Sequence, residues 1–335
     1  MILVTGGTGL VGSHLLYKLV STNEKVRAIY RNEQKLETVK KVFSTYTDNY
    51  KSLFETIEWV EADILDIPSL EEAFKGISYV YHCAALVSFE PNKYHALRKI
   101  NIEGTANVVN FCIYNNIKKI CYVSSVATLG STLNKEPITE ETIWNPETDN
   151  NVYAITKYGA EMEVWRATQE GLDAVIVNPG VILGAGIWNE GSGSLFKKAY
   201  KGLKYYSKGT LGLVAVEDVV SIMIVLLKSD IKNERFILVA ENWTFKKFLQ
   251  ALAKSVNKTP PTKLASPWLL QILWKLDWLN YSLTGKPRKL TKQLSKSLST
   301  ETYYSNKKIK SALSFDFQSV EETISKVGNL YLKQA

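Results

Sequence analysis

The sequence predicts an α/β protein in which helices cover both faces of a doubly wound parallel sheet, followed by a smaller, mostly helical C-terminal domain. Short apolar runs alternate with helical patterns through the first 180 residues, and this alternation is typical of βαβ units. These runs are apolar almost without interruption, as expected for strands that are buried on both faces. After Pro179 the pattern changes to a glycine-rich, loop-rich stretch and then to basic helices.

The individual elements follow from the spacing of apolar residues, which repeats every three or four positions in helices and forms short continuous runs in buried strands. The predicted strands are 2–5, 25–30, 57–62, 77–83, 118–124, 173–178 and 235–240. The predicted helices are 10–21, 69–75, 93–116, 151–169 and 216–228, with a polar surface helix within 33–53 and further helices from residue 241 onward.

The composition is that of an ordinary globular protein. The chain has 335 residues, of which 45% are hydrophobic and 22% charged, enough for one large domain or for two that share a core. No apolar run reaches the roughly 18 residues that span a bilayer, and a strand at residue 2 argues against a secretory presequence. We therefore expect a cytoplasmic protein. Three cysteines and three histidines, scattered along the chain, predict no metal site.

Positive charge is concentrated in the C-terminal part. Residues 241–335 carry 16 Lys and Arg against 6 Asp and Glu, whereas residues 1–240 carry 25 against 27. Solvated surface lysines are the simplest interpretation. Attraction of an anionic substrate or of a membrane surface is the alternative. Since no nucleic-acid-binding motif accompanies the charge, we expect no nucleic-acid partner.

Residues 268–279 contain three of the eight tryptophans. Their polar residues do not gather on one helical face, whereas a helix that lies on a membrane has a continuous polar face. We therefore interpret this segment as a buried or pocket-lining helix. Peripheral contact with a membrane or with a partner is the less favoured alternative.

A glycine-rich turn joins the first predicted strand to the first helix, in the sequence Thr5-Gly6-Gly7-Thr8-Gly9-Leu10-Val11-Gly12. The order strand, glycine turn, helix is the context of a dinucleotide-binding fingerprint. Its glycines allow a tight turn, close approach of a pyrophosphate and close packing of helix on strand. The phosphates then lie at a helix N-terminus, which attracts anions. The candidate cofactor-binding residues here are Gly6, Thr8, Gly9, Leu10, Val11 and Gly12.

Tyr153 and Lys157 are four residues apart and therefore lie on one face of a helix. A lysine ammonium near a tyrosine favours the phenolate. At about 4 Å and an effective dielectric constant of about 20 the attraction is about 4 kcal/mol, an upper bound of about three pKa units. This effect would move the tyrosine toward the pH range of general acid–base catalysis. Ser124 and Ser125 follow a predicted strand, at the sheet edge where doubly wound folds bind ligands.

Together these motifs resemble the extended short-chain dehydrogenase/reductase superfamily, also described as the NAD-dependent epimerase/dehydratase superfamily, which has a Rossmann fold. The resemblance covers nearly the whole chain and is closest to the dihydroflavonol reductase and 3β-hydroxysteroid dehydrogenase branch. Ser125 is chosen over Ser124 because the family's serine sits five residues before the glycine that is Gly130 here. The family's YxxxK motif matches Tyr153 and Lys157.

The resemblance implies a role for each site residue. Tyr153 would exchange a proton with the substrate oxygen, which Ser125 would orient. Lys157 would lower the pKa of the tyrosine and hold the nicotinamide ribose, and Asn101 would steady the site. His82, beside the expected groove, is interpreted as a strand-end packing residue. Further cofactor contacts implied by the resemblance are Asp63, Ile64, Ala84, Ala85 and Pro179, in addition to Tyr153 and Lys157.

Arg31 ends the second predicted strand, where relatives that use NAD often have Asp. An acidic residue there binds the ribose 2′-hydroxyl, whereas an arginine accommodates a 2′-phosphate, which its guanidinium contacts through two hydrogen bonds. The sequence therefore favours NADP(H). NAD(H) is the alternative, and Glu33 is the residue that would support it.

We assign residues 1–180 and 213–240 to the dinucleotide-binding domain, and 181–212 and 241–335 to the substrate domain. The resemblance implies an NADP-dependent oxidoreductase that reduces a ketone or aldehyde on a bulky, apolar small-molecule substrate, with a homodimer as the expected assembly.

Two other functions stay open. One is a nucleotide-sugar epimerase with tightly bound NAD, in which Arg288 is the candidate diphosphate ligand. Dehydration is disfavoured because Val126-Ala127 replaces the Asp-Glu pair of dehydratases. The other is a catalytically idle NADP-binding scaffold, which the intact Ser125, Tyr153 and Lys157 argue against.

Overall fold

The computed structural model describes residues 1–132, 136–285, 288 and 290–334. The strands are β1 (Ile2–Thr5), β2 (Val26–Tyr30), β3 (Glu58–Glu61), β4 (Tyr79–His82), β5 (Lys119–Val123), β6 (Ala174–Pro179), β7 (Val181–Leu183), β8 (Tyr205–Tyr206), β9 (Thr210–Ala215), β10 (Glu234–Leu238), β11 (Glu241–Thr244) and β12 (Lys263–Leu264). The helices are α1 (Leu10–Ser21), α2 (Leu36–Phe43), α3 (Tyr50–Glu55), α4 (Ile67–Phe74), α5 (Tyr94–Leu97), α6 (Gly104–Tyr114), α7 (Val152–Gln169), α8 (Gly193–Tyr200), α9 (Val216–Lys228), α10 (Phe245–Ser255), α11 (Pro267–Thr284), α12 (Lys292–Ser297), α13 (Lys307–Leu313) and α14 (Val320–Gln334).

Within the described residues, seven strands form a parallel sheet in the order β10-β6-β5-β4-β1-β2-β3. The chain runs outward from β1 to β3 and then returns to β4 on the other side of β1. Strand order therefore reverses between β1 and β4, and ligands of such sheets bind at this point, beyond the carboxyl ends of the strands. The predicted doubly wound, Rossmann-type architecture is confirmed.

Helices cover both faces of this sheet, which explains the uninterrupted apolar strands. On one face α1 and α9 pack their leucines and valines against the sheet, and on the other α4, α6 and α7 do the same. Each Å² of apolar surface removed from water stabilises the fold by about 25 cal/mol. The two layers, which bury most of the apolar side chains, are therefore the main source of stability. A smaller core lies between α10, α14 and a second sheet of β7, β9 and β11.

Several elements differ from the prediction, among them β7, α8 and β9, which lie in the stretch after Pro179 that was predicted to be rich in loops. The surface helix expected within 33–53 is divided into α2 and α3, and α2 buries Val39, Val42 and Phe43. The helix expected at 93–116 contains a π-helical turn, Arg98–Glu103. Residues 241–244 form a strand antiparallel to β9, although helices were expected from residue 241. Strand β11 is too short to show the alternation of buried and exposed residues that indicates a strand. Trp243 is the one buried residue among its four.

The tryptophan-rich segment was interpreted as a buried or pocket-lining helix, and the expectation that it is buried is wrong. Helix α11 exposes most of its large apolar side chains, and Leu270 is the one large apolar residue of the helix that is fully buried among those described. The sequence places apolar residues around much of the helix, and periodicity alone does not indicate which of them face the protein. In the part of the chain that the structure describes, no helix is long and apolar enough to cross a bilayer.

His82 connects three elements at the reversal point of the sheet. Its Nδ1 lies 2.6 Å from Thr5 Oγ1 on β1, and its Nε2 lies 2.9 Å from Thr105 Oγ1 on α6. The ring also stacks on Tyr122 of β5. The side chain is fully buried, as expected for a strand-end packing residue. Burial lowers the pKa of His82 to about 3, so the imidazole stays neutral in the fold.

We predict that acidification destabilises the protein through its buried histidines. The pKa of His82 is about 3 and that of His14, also lowered by burial, is about 4, whereas both titrate near 6.5 in the unfolded chain. The unfolded state therefore gains protons below pH 6.5 that the fold does not accept. At pH 5 each histidine lowers the free energy of unfolding by about 2 kcal/mol relative to pH 7 or above.

Chemical denaturation at pH 7 and pH 5 measures this difference. His82→Gln should reduce the loss of stability between the two pH values by about 2 kcal/mol. His95→Gln is the matched control, because His95 is exposed, and it should leave the loss unchanged. An identical loss in wild type and His82→Gln would contradict the prediction.

Candidate active site

The glycine turn brings α1 close to the strands at the reversal point. Gly6 has a φ of +69°, and a Cβ there would lie 2.5 Å from the backbone nitrogen of Ala84. A Cβ on Gly12 would lie 2.2 Å from the carbonyl oxygen of Gly6. Gly9 precedes α1 and provides no side-chain cap, so the N–H groups of the first turn are available to an anion. The turn therefore fits the pyrophosphate of a dinucleotide.

Other residues of the fingerprint surround this turn. Leu10 and Val11 are half-buried at the start of α1. Thr8 lines a cavity of about 160 Å³ together with Lys35, Thr38 and Lys41. The predicted list of contacts omits Lys35. The signal in the sequence was a second positively charged residue, Lys35, four positions after Arg31.

Arg31 and Asp63 lie next to each other beyond the ends of β2 and β3. Arg31 Nη1 is 3.5 Å from Asp63 Oδ2, and the arginine side chain is 57% exposed. Asp63 also accepts a hydrogen bond from the backbone nitrogen of Leu65, at 3.0 Å, so the carboxylate is held by its own loop. An exposed ion pair of this kind contributes little to stability. The guanidinium is therefore free to exchange this carboxylate for another anion.

Ile64 is buried against α6, where Gly104 makes room for it. A Cβ on Gly104 would lie 2.5 Å from Ile64 Cδ1, and Asn107 Nδ2 donates a hydrogen bond to the Ile64 carbonyl at 2.9 Å. The loop that would contact an adenine is thereby fixed by its contacts with α6. Pro179 ends β6 and is buried.

Asn101 joins the loop after β4 to helix α7. Its Nδ2 donates to the carbonyl of Leu86 at 3.0 Å and to Thr156 Oγ1 at 3.2 Å, and its Oδ1 accepts from the Leu86 nitrogen at 2.8 Å. The side chain is buried within the π-helical turn. Asn101 therefore holds the segment that contains half-buried Ala84 and exposed Ala85 against the helix that carries Tyr153.

The two serines after β5 have different environments. Ser124 is buried, and its hydroxyl donates to Glu161 Oε2 at 2.5 Å. The Ser125 hydroxyl accepts from the Ala127 nitrogen at 3.2 Å, and it lies near enough to the Tyr153 phenol to lower the pKa of that phenol. The structure thus brings Ser125 and Tyr153 together, whereas Ser124 is engaged elsewhere.

Burial determines the ionisation of Tyr153. It raises the pKa of the phenol to about 12, and the nearby Ser125 hydroxyl opposes this effect. The sequence predicted that Lys157 lowers the pKa of Tyr153. In the structure, which contains no cofactor, this pKa is raised above its ordinary value. The reason is that desolvation of the phenolate dominates and that the ammonium of Lys157 binds other groups.

Lys157 is almost fully buried beneath the site. Its Nζ donates to the Tyr122 hydroxyl at 2.6 Å and to the Val123 carbonyl at 2.8 Å. Burial lowers the pKa of Lys157 to about 7, and the negative charge of Glu161 opposes this shift. The lysine therefore changes its charge close to neutral pH.

Glu161 was not predicted from the sequence, although it follows Tyr153 and Lys157 at the same four-residue spacing and so shares their helix face. Its carboxylate is completely buried. One oxygen accepts from three side chains and the other from two. The donors are Ser124 (2.5 Å), Thr128 (2.7 Å) and Asn178 (2.9 Å) to Oε2, and Arg235 (3.1 Å) and Trp165 (3.4 Å) to Oε1. The carboxylate thus joins the ends of β5 and β6 to β10.

Two other features lie apart from the group formed by Ser125, Tyr153, Lys157 and Glu161. A cavity of about 350 Å³ lies on a different face of α7, among Trp144, Tyr158 and Trp165, and none of the predicted site residues lines it. Arg288 forms an ion pair with Asp277, at 3.9 Å, and donates to the Leu290 carbonyl at 3.3 Å. Among the described residues, no group of three or more His, Cys, Asp or Glu could hold a metal ion.

The chain is also similar to known proteins. Residues 2–239 match the model of the NAD dependent epimerase/dehydratase family. Sterol demethylase protein B of Methylococcus capsulatus is 26% identical over 275 residues, covering 80% of this chain and 78% of that protein. Cinnamoyl-CoA reductase 1 of Petunia hybrida is 25% identical over 274 residues, covering 78% of this chain and 80% of the relative.

Solved structures show the same fold over the whole chain. The crystal structure of gox2253 superposes with a TM-score of 0.82 at 22% identity, covering 100% of this chain and 98% of the other. UDP-glucose 4-epimerase of Thermotoga maritima, solved with UDP-glucose, gives a TM-score of 0.77 at 20% identity and covers 99% of each chain. The chain therefore belongs to the NAD-dependent epimerase/dehydratase family, within the extended short-chain dehydrogenases/reductases, and has the NAD(P)-dependent enzyme fold of that family.

Proposed function

We propose that the protein is an NADP-dependent oxidoreductase that reduces a ketone or aldehyde group on a bulky, apolar substrate. The observation that carries this proposal is the meeting of the Ser125 and Tyr153 side chains at the carboxyl end of the sheet. Lys157 is buried beneath them, and the glycine turn follows β1 at the point where the strand order reverses.

NADPH, when bound, supplies a hydride to the carbonyl carbon. The Tyr153 hydroxyl keeps its proton at neutral pH because its pKa is about 12, and it donates this proton to the carbonyl oxygen. The Ser125 hydroxyl donates a hydrogen bond to the same oxygen and stabilises the negative charge that develops there. Lys157 in its protonated form binds the nicotinamide ribose and favours the tyrosinate that remains after proton transfer.

Apolar side chains beside Tyr153 support an apolar substrate. Phe89 contacts the Tyr153 ring edge-to-face, with centroids 5.4 Å apart, and is itself exposed. Val87, two residues earlier, is exposed as well. Both lie on the loop that Asn101 fastens to α7. An exposed aromatic residue beside the half-buried Ser125 and Tyr153 suits an aromatic or polycyclic group next to the carbonyl. The reductase name of the Petunia hybrida relative agrees with this direction of reaction.

Tyr153→Phe should abolish turnover while leaving cofactor affinity within about twofold of wild type. Removing a general acid costs about 10²- to 10⁴-fold in rate, and the ring itself is retained. The assay is NADPH oxidation with aryl ketones and aldehydes, combined with cofactor titration by fluorescence. Tyr158→Phe, on a different face of the same helix, is the control and should keep full activity. Turnover retained in Tyr153→Phe would refute the assignment.

Arg31 supports NADP(H) as the cofactor. Its guanidinium is exposed at the end of β2 and forms a solvent-accessible ion pair with Asp63, so a ribose 2′-phosphate would compete for it. Lys35 directly precedes α2, and its ammonium forms an exposed ion pair with Glu190, at 3.2 Å. Two cations at this position favour the phosphorylated dinucleotide.

Arg31→Asp should move cofactor preference from NADPH toward NADH by about ten- to a hundredfold, since a hydrogen bond between charged groups contributes about 1.5–3 kcal/mol. The ratio of dissociation constants for the two cofactors measures the change. Lys18→Asp, an exposed substitution in the last turn of α1, makes the same change of charge and should leave the ratio unchanged. An unaltered ratio in Arg31→Asp would remove Arg31 from the site.

The alternative function is a nucleotide-sugar epimerase with tightly bound NAD, which the likeness to UDP-glucose 4-epimerase supports at the level of fold. Its candidate diphosphate ligand, Arg288, is already paired with Asp277, and this observation favours the reductase. Release of stoichiometric NAD when the purified protein is denatured would favour the epimerase instead.

A further inference from the structure

Helix α11 presents an apolar stripe to solvent. Five exposed residues follow one another at i, i+4, i+8, i+11 and i+15, and this spacing places them within about 80° of the helix circumference. They are Trp268, Ile272, Leu276, Leu279 and Leu283. The opposite side faces the protein and contains buried Leu270 and the half-buried residues Trp274, Asp277 and Tyr281. Apolar residues therefore lie on both sides of the helix, and the five residues of the stripe are directed outward.

The exposure of this stripe is large. Trp268 is 67% exposed, Leu276 55% and Leu283 77%, and Leu273 and Trp278, at the sides of the stripe, are exposed as well. Within the helix, Lys275 and Asp277 are the only charged residues. A contiguous apolar surface of this kind indicates an interaction site, because isolated proteins seldom leave one in water.

The sequence on both sides of the stripe is basic. Residues 263–296 contain seven Lys and Arg but a single acidic residue, Asp277, which pairs with Arg288. Lys263, Lys275 and Lys292 are exposed. Two copies of this face would bring together two groups of like charges, which disfavours a dimer through it. An apolar layer beneath a negatively charged surface complements both the stripe and the lysines.

We infer that α11 docks the protein onto an anionic membrane, lying parallel to its surface with the apolar stripe among the acyl chains and the lysines at the headgroups. Tryptophan side chains are favoured at this depth. A helix that binds in this way combines apolar burial with attraction to anionic lipid. The protein body replaces the polar face that an isolated membrane-surface helix would need, since that side of α11 packs on the protein.

The docking helix is connected to the loop that leads to the active site. In α12, which follows α11, Lys292 lies 3.7 Å and Gln293 lies 3.4 Å from Asp149. Asn151, two residues later, caps helix α7 with its side chain, two residues before Tyr153. A membrane-bound protein would thus hold this loop close to the lipid surface. The docking does not depend on the proposed reduction, and its test requires no substrate.

Cosedimentation of the full-length protein with lipid vesicles tests the inference. The protein should bind vesicles of phosphatidylcholine and phosphatidylglycerol at least about tenfold more tightly than phosphatidylcholine alone, and high salt should weaken binding by screening the lysines. Leu276→Glu/Leu279→Glu should reduce binding by about tenfold or more, without changing the thermal unfolding temperature. Tyr114→Glu, at an apolar residue that is 79% exposed at the end of α6, is the matched control and should bind as wild type.

Three results would overturn the inference. The protein could stay in the supernatant with both kinds of vesicle. The double variant could bind as tightly as wild type, which would place the contact elsewhere. Light scattering could show a dimer that the double variant converts to a monomer, which would assign the stripe to a second copy of the chain.

Lys263→Glu/Lys275→Glu adds an independent readout, because it should remove the preference for anionic lipid.

Discussion

The geometry of the candidate site depends on the buried carboxylate of Glu161. A charge removed from water is costly unless it is paired and fully hydrogen-bonded, and this carboxylate accepts from five side chains. To reach it, Ser124 and Asn178 must stand at the ends of β5 and β6, and Arg235 must enter from β10. The strand ends are therefore fixed relative to α7, and Ser125 is held where its hydroxyl meets Tyr153. Breaking one donor would leave a buried polar group without its partner, so the cluster favours a single arrangement.

The same carboxylate affects the charge of the site. Burial favours the neutral forms of both Tyr153 and Lys157, raising the first pKa to about 12 and lowering the second to about 7. The charge of Glu161 opposes the loss of the lysine proton. The site thus contains a protonated phenol suited to donate a proton and a lysine near its titration point. A bound dinucleotide and substrate would exclude more water and strengthen each of these interactions. His82, neutral and bonded at both ring nitrogens, adds a rigid connection between β1, β4 and α6 without adding charge.

Much of this arrangement could be predicted because its causes are local in sequence. The glycine turn, the apolar strands and the spacing of Tyr153 and Lys157 each reflect a constraint within a few residues. Asn101 was found only through family resemblance, and its partners Leu86 and Thr156 are set by the tertiary fold. Glu161 was missed because a glutamate on a helix is usually exposed, and its donors come from four different parts of the chain. The orientation of α11 was predicted wrongly, since periodicity identifies two apolar sides of a helix but not which one the protein covers. The pKa of Tyr153 was predicted in the wrong direction because the attraction of Lys157 was considered without the cost of burying the phenolate.

The most direct test of this account is the pH dependence of kcat/KM for Glu161→Gln beside wild type, with Glu161→Asp and Glu163→Gln as comparisons. If Glu161 keeps Lys157 charged, activity in wild type should decline as pH rises through the pKa of Lys157, about 7, and Glu161→Gln should move this decline to lower pH. Glu161→Asp should restore part of the shift. Glu163, which pairs with Arg166 outside the cluster, should give the wild-type profile when changed to Gln. A decline at the same pH in Glu161→Gln and wild type, whatever the loss in rate, would contradict the central role assigned to this carboxylate.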